Sequence, residues 1–105
     1  MKGYLVTNEF EVGHNPWHFS VHKDTLYVPE AQLKIYHWQD RRAYGLVERL
    51  DQQEFGDVRS FHAQDIQEVQ LDEVVVREIS ALFDQVEPVV PALMDIWRRV
   101  HRLQK

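Results

Sequence analysis

Up to residue 71 the apolar and polar side chains alternate with a period near two, and from Asp72 onward the period lengthens to about 3.6. Tyr4, Val6, Phe10 and Val12 alternate with Thr7, Glu9 and Glu11, which predicts a half-buried first strand. Gly13-His14-Asn15-Pro16 is turn chemistry, and Trp17, Phe19 and Val21 then alternate with His18, Ser20 and His22 as a second strand. Lys23-Asp24 reads as a tight turn into a short third strand, Leu26 to Val28, that Pro29 ends. Residues 29–38 fit two descriptions. Pro29 and Glu30 could open a helix, whereas Leu33, Ile35 and His37 alternating with Lys34, Tyr36 and Trp38 suit a strand, and a turn followed by a strand fits better. A hairpin over Leu33 to Leu50, a loop over 52–57 and a last strand over Val58 to Leu71, with a bulge at Asp65-Ile66, complete the first part.

In the last third, Val75, Ile79, Leu82, Phe83 and Val86 fall at helical spacings. Beyond Glu87-Pro88, Leu93, Ile96, Trp97, Val100 and Leu103 do the same. Asp72 is placed to cap the first helix and Glu73 to meet its positive end. The proline-rich break at 87–91 predicts two helices or one sharp kink, and Asp95 is spaced to pair with Arg99. The expected fold class is therefore α+β. An antiparallel meander of five to six strands, curled at most into an open SH3-like barrel, is packed by two C-terminal helices, all in a single domain over 1–105 with a β part at 1–71 and a helical part at 72–105. The spacing Arg59-x-Phe61-x-x-x-x-Ile66 is similar to one in the ligand-sensing WYL domain family, but over eight residues and without that family's name-giving tripeptide, so it assigns no family.

Charge changes the picture only through its distribution. Residues 1–47 balance five acidic against five basic side chains, residues 48–95 carry twelve against three, and the last ten carry Arg98, Arg99, Arg102 and Lys105 with no carboxylate. An acidic body disfavours nucleic-acid phosphates and suits a basic protein partner, while the basic end suits a helix terminus or pairing with the acidic region. No apolar run is long enough to span a membrane, no secretory signal opens the chain, and no cysteine is present, so a cytoplasmic protein without disulfides or thiol chemistry is expected.

Candidate chemistry is sparse. His14, His18 and His22 recur every fourth residue, and on a helix His18 and His22 could share a metal. On a strand four residues separate them by about 13 Å, too far for one ion. Ser60, His62 and Asp65 have the residue types of a nucleophilic triad without its arrangement, since neighbouring strand positions lie parallel rather than converging. No phosphate-cradling glycine loop and no cofactor motif is present. The better-founded hint is aromatic. Trp17, Tyr36, Trp38 and Trp97 are candidate ligand- or partner-binding residues, with Lys34, Tyr36 and Trp38 expected to emerge on the face opposite Leu33 and Ile35.

Three functional readings follow. The first is a small soluble non-enzymatic protein-interaction module of accessory, immunity or antitoxin-like type, binding a basic partner. The second is a small-ligand domain with an aromatic-lined pocket between sheet and helices. The third is a histidine-based metal-dependent enzyme. Because the two helices carry more apolar surface than five short strands readily cover from one side, a homodimer through those helices is expected as well.

Overall fold

The structure is a computed structural model that describes residues 1–14, 17–39, 47–50, 64–84 and 90–103; of these, residues 12–14, 17–19 and 90–93 are described by their backbone. Seven strands, β1 (Lys2–Val6), β2 (Phe10–His14), β3 (Trp17–Val21), β4 (Leu26–Val28), β5 (Leu33–Ile35), β6 (Val47–Arg49) and β7 (Ile66–Gln70), precede two helices, α1 (Glu73–Asp84) and α2 (Val90–Val100). Five strands form one antiparallel sheet in the order β6-β5-β4-β1-β7, and β2 and β3 pair as a separate ribbon. The α+β expectation holds. The sheet does not close into a barrel, because the order ends at β6 and β7, which are not hydrogen-bonded to each other.

Two corrections concern the strands. The first predicted strand is broken. Val6 exchanges hydrogen bonds with the turn at 24–25 (Val6 N–H to the Thr25 carbonyl, Asp24 N–H to the Val6 carbonyl), while the Thr7 and Asn8 N–H groups turn to the Asp65 carbonyl. With its partners changing there, the chain leaves the sheet, and Phe10 to Val21 becomes a ribbon inserted between β1 and β4. The result is not a simple meander, since β7 comes back to lie beside β1 in full register from Lys2↔Gln70 to Val6↔Ile66. The bulge expected at Asp65-Ile66 is instead a turn over Gln64 and Asp65 that feeds β7. The part of that strand expected over 58–63 lies outside the described residues.

Residues 29–39 resolve as the second of the two alternatives, in shortened form. Pro29–Ala31 is a single 3-10 turn, Gln32 adopts φ 53 to leave it, and β5 then runs only to Ile35. His37 at φ 50 turns the backbone so that Trp38, whose N–H is bonded to the Asp24 carbonyl, goes into the core instead of out of the opposite face.

The main core lies between one face of the sheet and the helices. Leu5, Leu26, Val28, Leu33, Ile35 and Val47 meet Val75, Val76, Ile79, Ile96, Val100 and Leu103, with Trp38 and Leu71 among them. Removing such side chains from water contributes about 1.5–3 kcal/mol each. Gly3 in β1 belongs to this face, and a Cβ there would come within 2.8 Å of Leu71 Cδ1 and 3.0 Å of Leu26 Cδ1, so a larger residue would have to displace these leucine ends. On the other face a smaller core of Val6, Val21, Tyr27 and Leu50 is bordered by Tyr4, Phe10 and Ile66.

The helices are tied down as their sequence predicts, with one substitution of partner. Asp72 Oδ1 accepts the N–H groups of Val74 (3.0 Å) and Val75 (3.3 Å), capping α1, and the Asp72 N–H donates to the Leu103 carbonyl at the far end of α2. Arg99 does not pair with the Asp95 carboxylate. It reaches across to Glu78 Oε2 (3.1 Å), which Arg102 also meets at 2.8 Å, while Arg98 takes Asp95 at 3.7 Å. The described cations of the basic end are thus answered by carboxylates of the same chain. No described helix is long and apolar enough to cross a membrane.

Candidate interaction surface

Alternation assigns the two faces of the sheet. Leu33 and Ile35 of β5 face the helices, so Lys34 emerges on the other side. The ladder sets it opposite Tyr27 of β4 and Glu48 of β6. Tyr36 continues that side just beyond the strand. Its hydroxyl donates to Glu48 Oε2 at 2.6 Å, and Lys34 Nζ stands 4.7 Å from the Tyr36 ring centroid and 5.9 Å from that of Tyr27. Burial pushes the Tyr36 phenol above its usual pKa, the Glu48 hydrogen bond adds to that, and Lys34 opposes it. Further along the same face, Tyr4 is half-buried, and Lys2 meets Glu68 of β7 at 3.2 Å. The carboxylate raises the Lys2 pKa, first through the hydrogen bond and then through its charge.

This face can hold a partner. Tyr4 and Tyr36 are half-buried and Tyr27 is buried, the charges of the face come in both signs, and Glu48 and Glu68 remain exposed. Tyrosine is enriched at protein interfaces, and their rims are polar.

The predicted site residues do not assemble in one place. Tyr36 stands beside Lys34 and Glu48, whose strand positions face away from the helices, and it also packs against the edge of the main core. Trp38 is 3% exposed in the main core, and Trp97 packs against that same core from α2 with its ring edge-on to His101, centroids 4.9 Å apart. The backbone of Trp17 lies in β3 opposite His14, and its side chain lies outside the described residues. Among the described residues the sheet-to-helix interface is lined by aliphatic side chains and Trp38, with Phe83 and Trp97 packed at its border.

His18 lies opposite Gly13 in the ribbon, its side chain likewise outside the described residues, and His22 meets Glu9 at 3.5 Å with both exposed. No group of three or more histidine, aspartate or glutamate side chains able to hold a metal ion occurs among the described residues. Ser60 and His62 lie outside them. Sequence reasoning missed Arg49, whose guanidinium donates to the Ala31 carbonyl (2.9 Å), the Ser80 carbonyl (2.7 Å) and Asp84 Oδ1 (2.8 Å), and lies 5.5 Å from the Phe83 ring centroid. Its signal was available, because an arginine two residues after Val47 shares the apolar parity of that strand and needs polar partners there. No protein-family model matches this chain, nor does any curated protein or solved structure.

Proposed function

We propose that the protein is a non-enzymatic protein-interaction module, of the accessory, immunity or antitoxin-like kind, that offers the helix-free face of its sheet to a partner bearing basic groups. The observation that carries this reading is the Tyr36, Lys34 and Glu48 cluster, an aromatic and charged group on a face the helices leave uncovered. Tyr36 supplies the aromatic contact area. Glu48 and Glu68 are exposed carboxylates on that face, beside Lys34 and Lys2, and are the groups that a basic partner would meet. Homodimerisation through the helices has weaker footing, because their apolar faces are spent on the chain's own sheet and Val74 is the one exposed large hydrophobic among the described residues.

The test is retrieval from the native lysate by the wild-type chain and by a Tyr36→Ala/Glu48→Ala double variant, with circular dichroism confirming that both are folded. The expected result is a specific basic protein held by the wild type and lost by the variant. A partner held equally by both, or none held by either, contradicts the proposal.

A further inference from the structure

The partner class can be narrowed at β7, which among the described residues is the edge of the sheet next to β1. In an antiparallel ladder, facing residues alternate between pairs that exchange both backbone hydrogen bonds and pairs that exchange none. Met1 and Leu71 are an exchanging pair, with the Leu71 N–H 2.8 Å from the Met1 carbonyl and the Met1 nitrogen 3.0 Å from the Leu71 carbonyl. The Thr7 N–H donates to the Asp65 carbonyl at 2.8 Å at the other end. The register between these two fixes Gly3↔Val69 and Leu5↔Gln67 as the intervening exchanging pairs. Gln67 and Val69 therefore spend their backbone groups on β1. Ile66, Glu68 and Gln70 direct theirs away from it, to the outside of the sheet.

Such an edge is normally blunted by lysines, a proline or a bulge, because it is a ready template for another strand. Residues 66–70 read Ile-Gln-Glu-Val-Gln and contain none of these in regular pairing with β1. Glu68 and Gln70 are exposed and Ile66 is half-buried. Residues 64–76 hold Asp65, Glu68, Asp72 and Glu73 and no cation; Lys2 answers Glu68 and Arg77 answers Glu73, which leaves the segment with an acidic excess. The side chains of Ile66, Glu68 and Gln70 share the helix-free face with Tyr4 and Val6, so the strand edge is one rim of the interaction surface.

We infer that β7 takes an extended segment of a partner as an added strand, and that basic side chains on alternate residues of this segment meet Glu68. Lys2 occupies Glu68 Oε1 from the inner side, and the second carboxylate oxygen can accept a cation from the outer side. Backbone hydrogen bonds from three residues supply the pairing, and the carboxylates select the sign. A second copy of the chain fits less well, because pairing two β7 strands about Glu68 sets like charges opposite each other.

This inference rests on the interaction reading and has its own test. A fluorescein-labelled Lys-Val-Lys-Val-Lys-Val-Lys peptide and its Glu-Val counterpart are titrated with the full chain by anisotropy, and amide exchange is followed by NMR. In the free chain the amides of Gln67, Val69 and Leu71 should exchange slowly and those of Ile66, Glu68 and Gln70 quickly. Saturating Lys-Val peptide should slow the second set, while the Glu-Val peptide should not bind. Gln70→Pro removes one outward N–H and leaves the β1 pairing intact, and Glu68→Lys reverses the charge. Each should weaken the peptide about tenfold, equivalent to about 1.4 kcal/mol.

Slow exchange at Ile66, Glu68 and Gln70 in the free chain overturns the inference, as does a dimer paired through β7. Equal affinity of both variants and the wild type also overturns it, as does the absence of binding. If Tyr36-dependent retrieval survives any of these results, the strand assignment falls and the interaction reading stands; if retrieval fails too, both fall.

Discussion

The two faces of the sheet are made from the same strands and do different work. On the helix side, alternate residues of β1, β4, β5 and β6 are almost wholly aliphatic, and α1 and α2 cover them until Ile35, Ile79 and Val100 are 0% exposed. On the other side the intervening positions are Lys2, Tyr4, Val6, Tyr27, Lys34, Glu48 and Glu68, of which Val6 and Tyr27 are buried in a small core with Val21 and Leu50. Interior packing is unforgiving of volume changes, whereas exposed charges and partly buried tyrosines add little to stability. Stability thus resides mainly on the helix side, which leaves the other side free to change without unfolding the chain.

Variants can sharpen or break this contrast. Ile79→Ala opens a cavity in the fully buried interface and should cost about 2–5 kcal/mol, read as a lower urea midpoint with an unchanged slope. Gly3→Ala puts a methyl group against Leu71 and Leu26 on the same face and should cost about 1–3 kcal/mol by overpacking. Arg49→Ala removes three hydrogen bonds that hold the end of α1 and the 3-10 turn to the edge strand, but the side chain is 33% exposed. A loss of about 1–2 kcal/mol is expected.

The smallest effect should come from the helix-free face. Tyr36→Phe loses one half-exposed hydrogen bond to Glu48, worth about 0.5–1 kcal/mol. Because the folded phenol has its pKa raised, its contribution is intact below the pKa of an unfolded tyrosine and is lost as pH rises through the folded value. Wild-type stability should therefore fall more steeply in the alkaline range than that of Tyr36→Phe. A phenolate absorbance titration should show a late-ionising tyrosine that the variant lacks. If Tyr36→Phe proved as costly as Gly3→Ala, the division of labour between the faces would not hold.

Much of this division was legible in the chain. The alternation of Leu33, Lys34 and Ile35 assigned the two faces of β5, and the change of period at Asp72 located both helices and the α1 cap. What alternation could not reveal was where the backbone departs from it. His37 at φ 50 sends Trp38 into the core, and the change of hydrogen-bond partners at Thr7 and Asn8 splits the first strand in two. Long-range pairing was hidden for a related reason. That β7 lies beside β1, or that Arg99 prefers Glu78 to Asp95, depends on segments brought together by folding and leaves no local periodic trace. Trp38 departs from its expected side because β5 ends at Ile35, and parity along a strand predicts sides only while the strand lasts.

The most direct test of the account is a crossed measurement on two variants, Ile79→Ala and Tyr36→Ala/Glu48→Ala, each assayed for urea midpoint and for retrieval of the basic partner under conditions where it is folded. The account predicts that Ile79→Ala lowers the midpoint and keeps the partner, while the double variant lowers the midpoint less than Ile79→Ala and loses the partner. Partner binding lost with Ile79→Ala and retained by the double variant would contradict it, placing recognition on the helices instead.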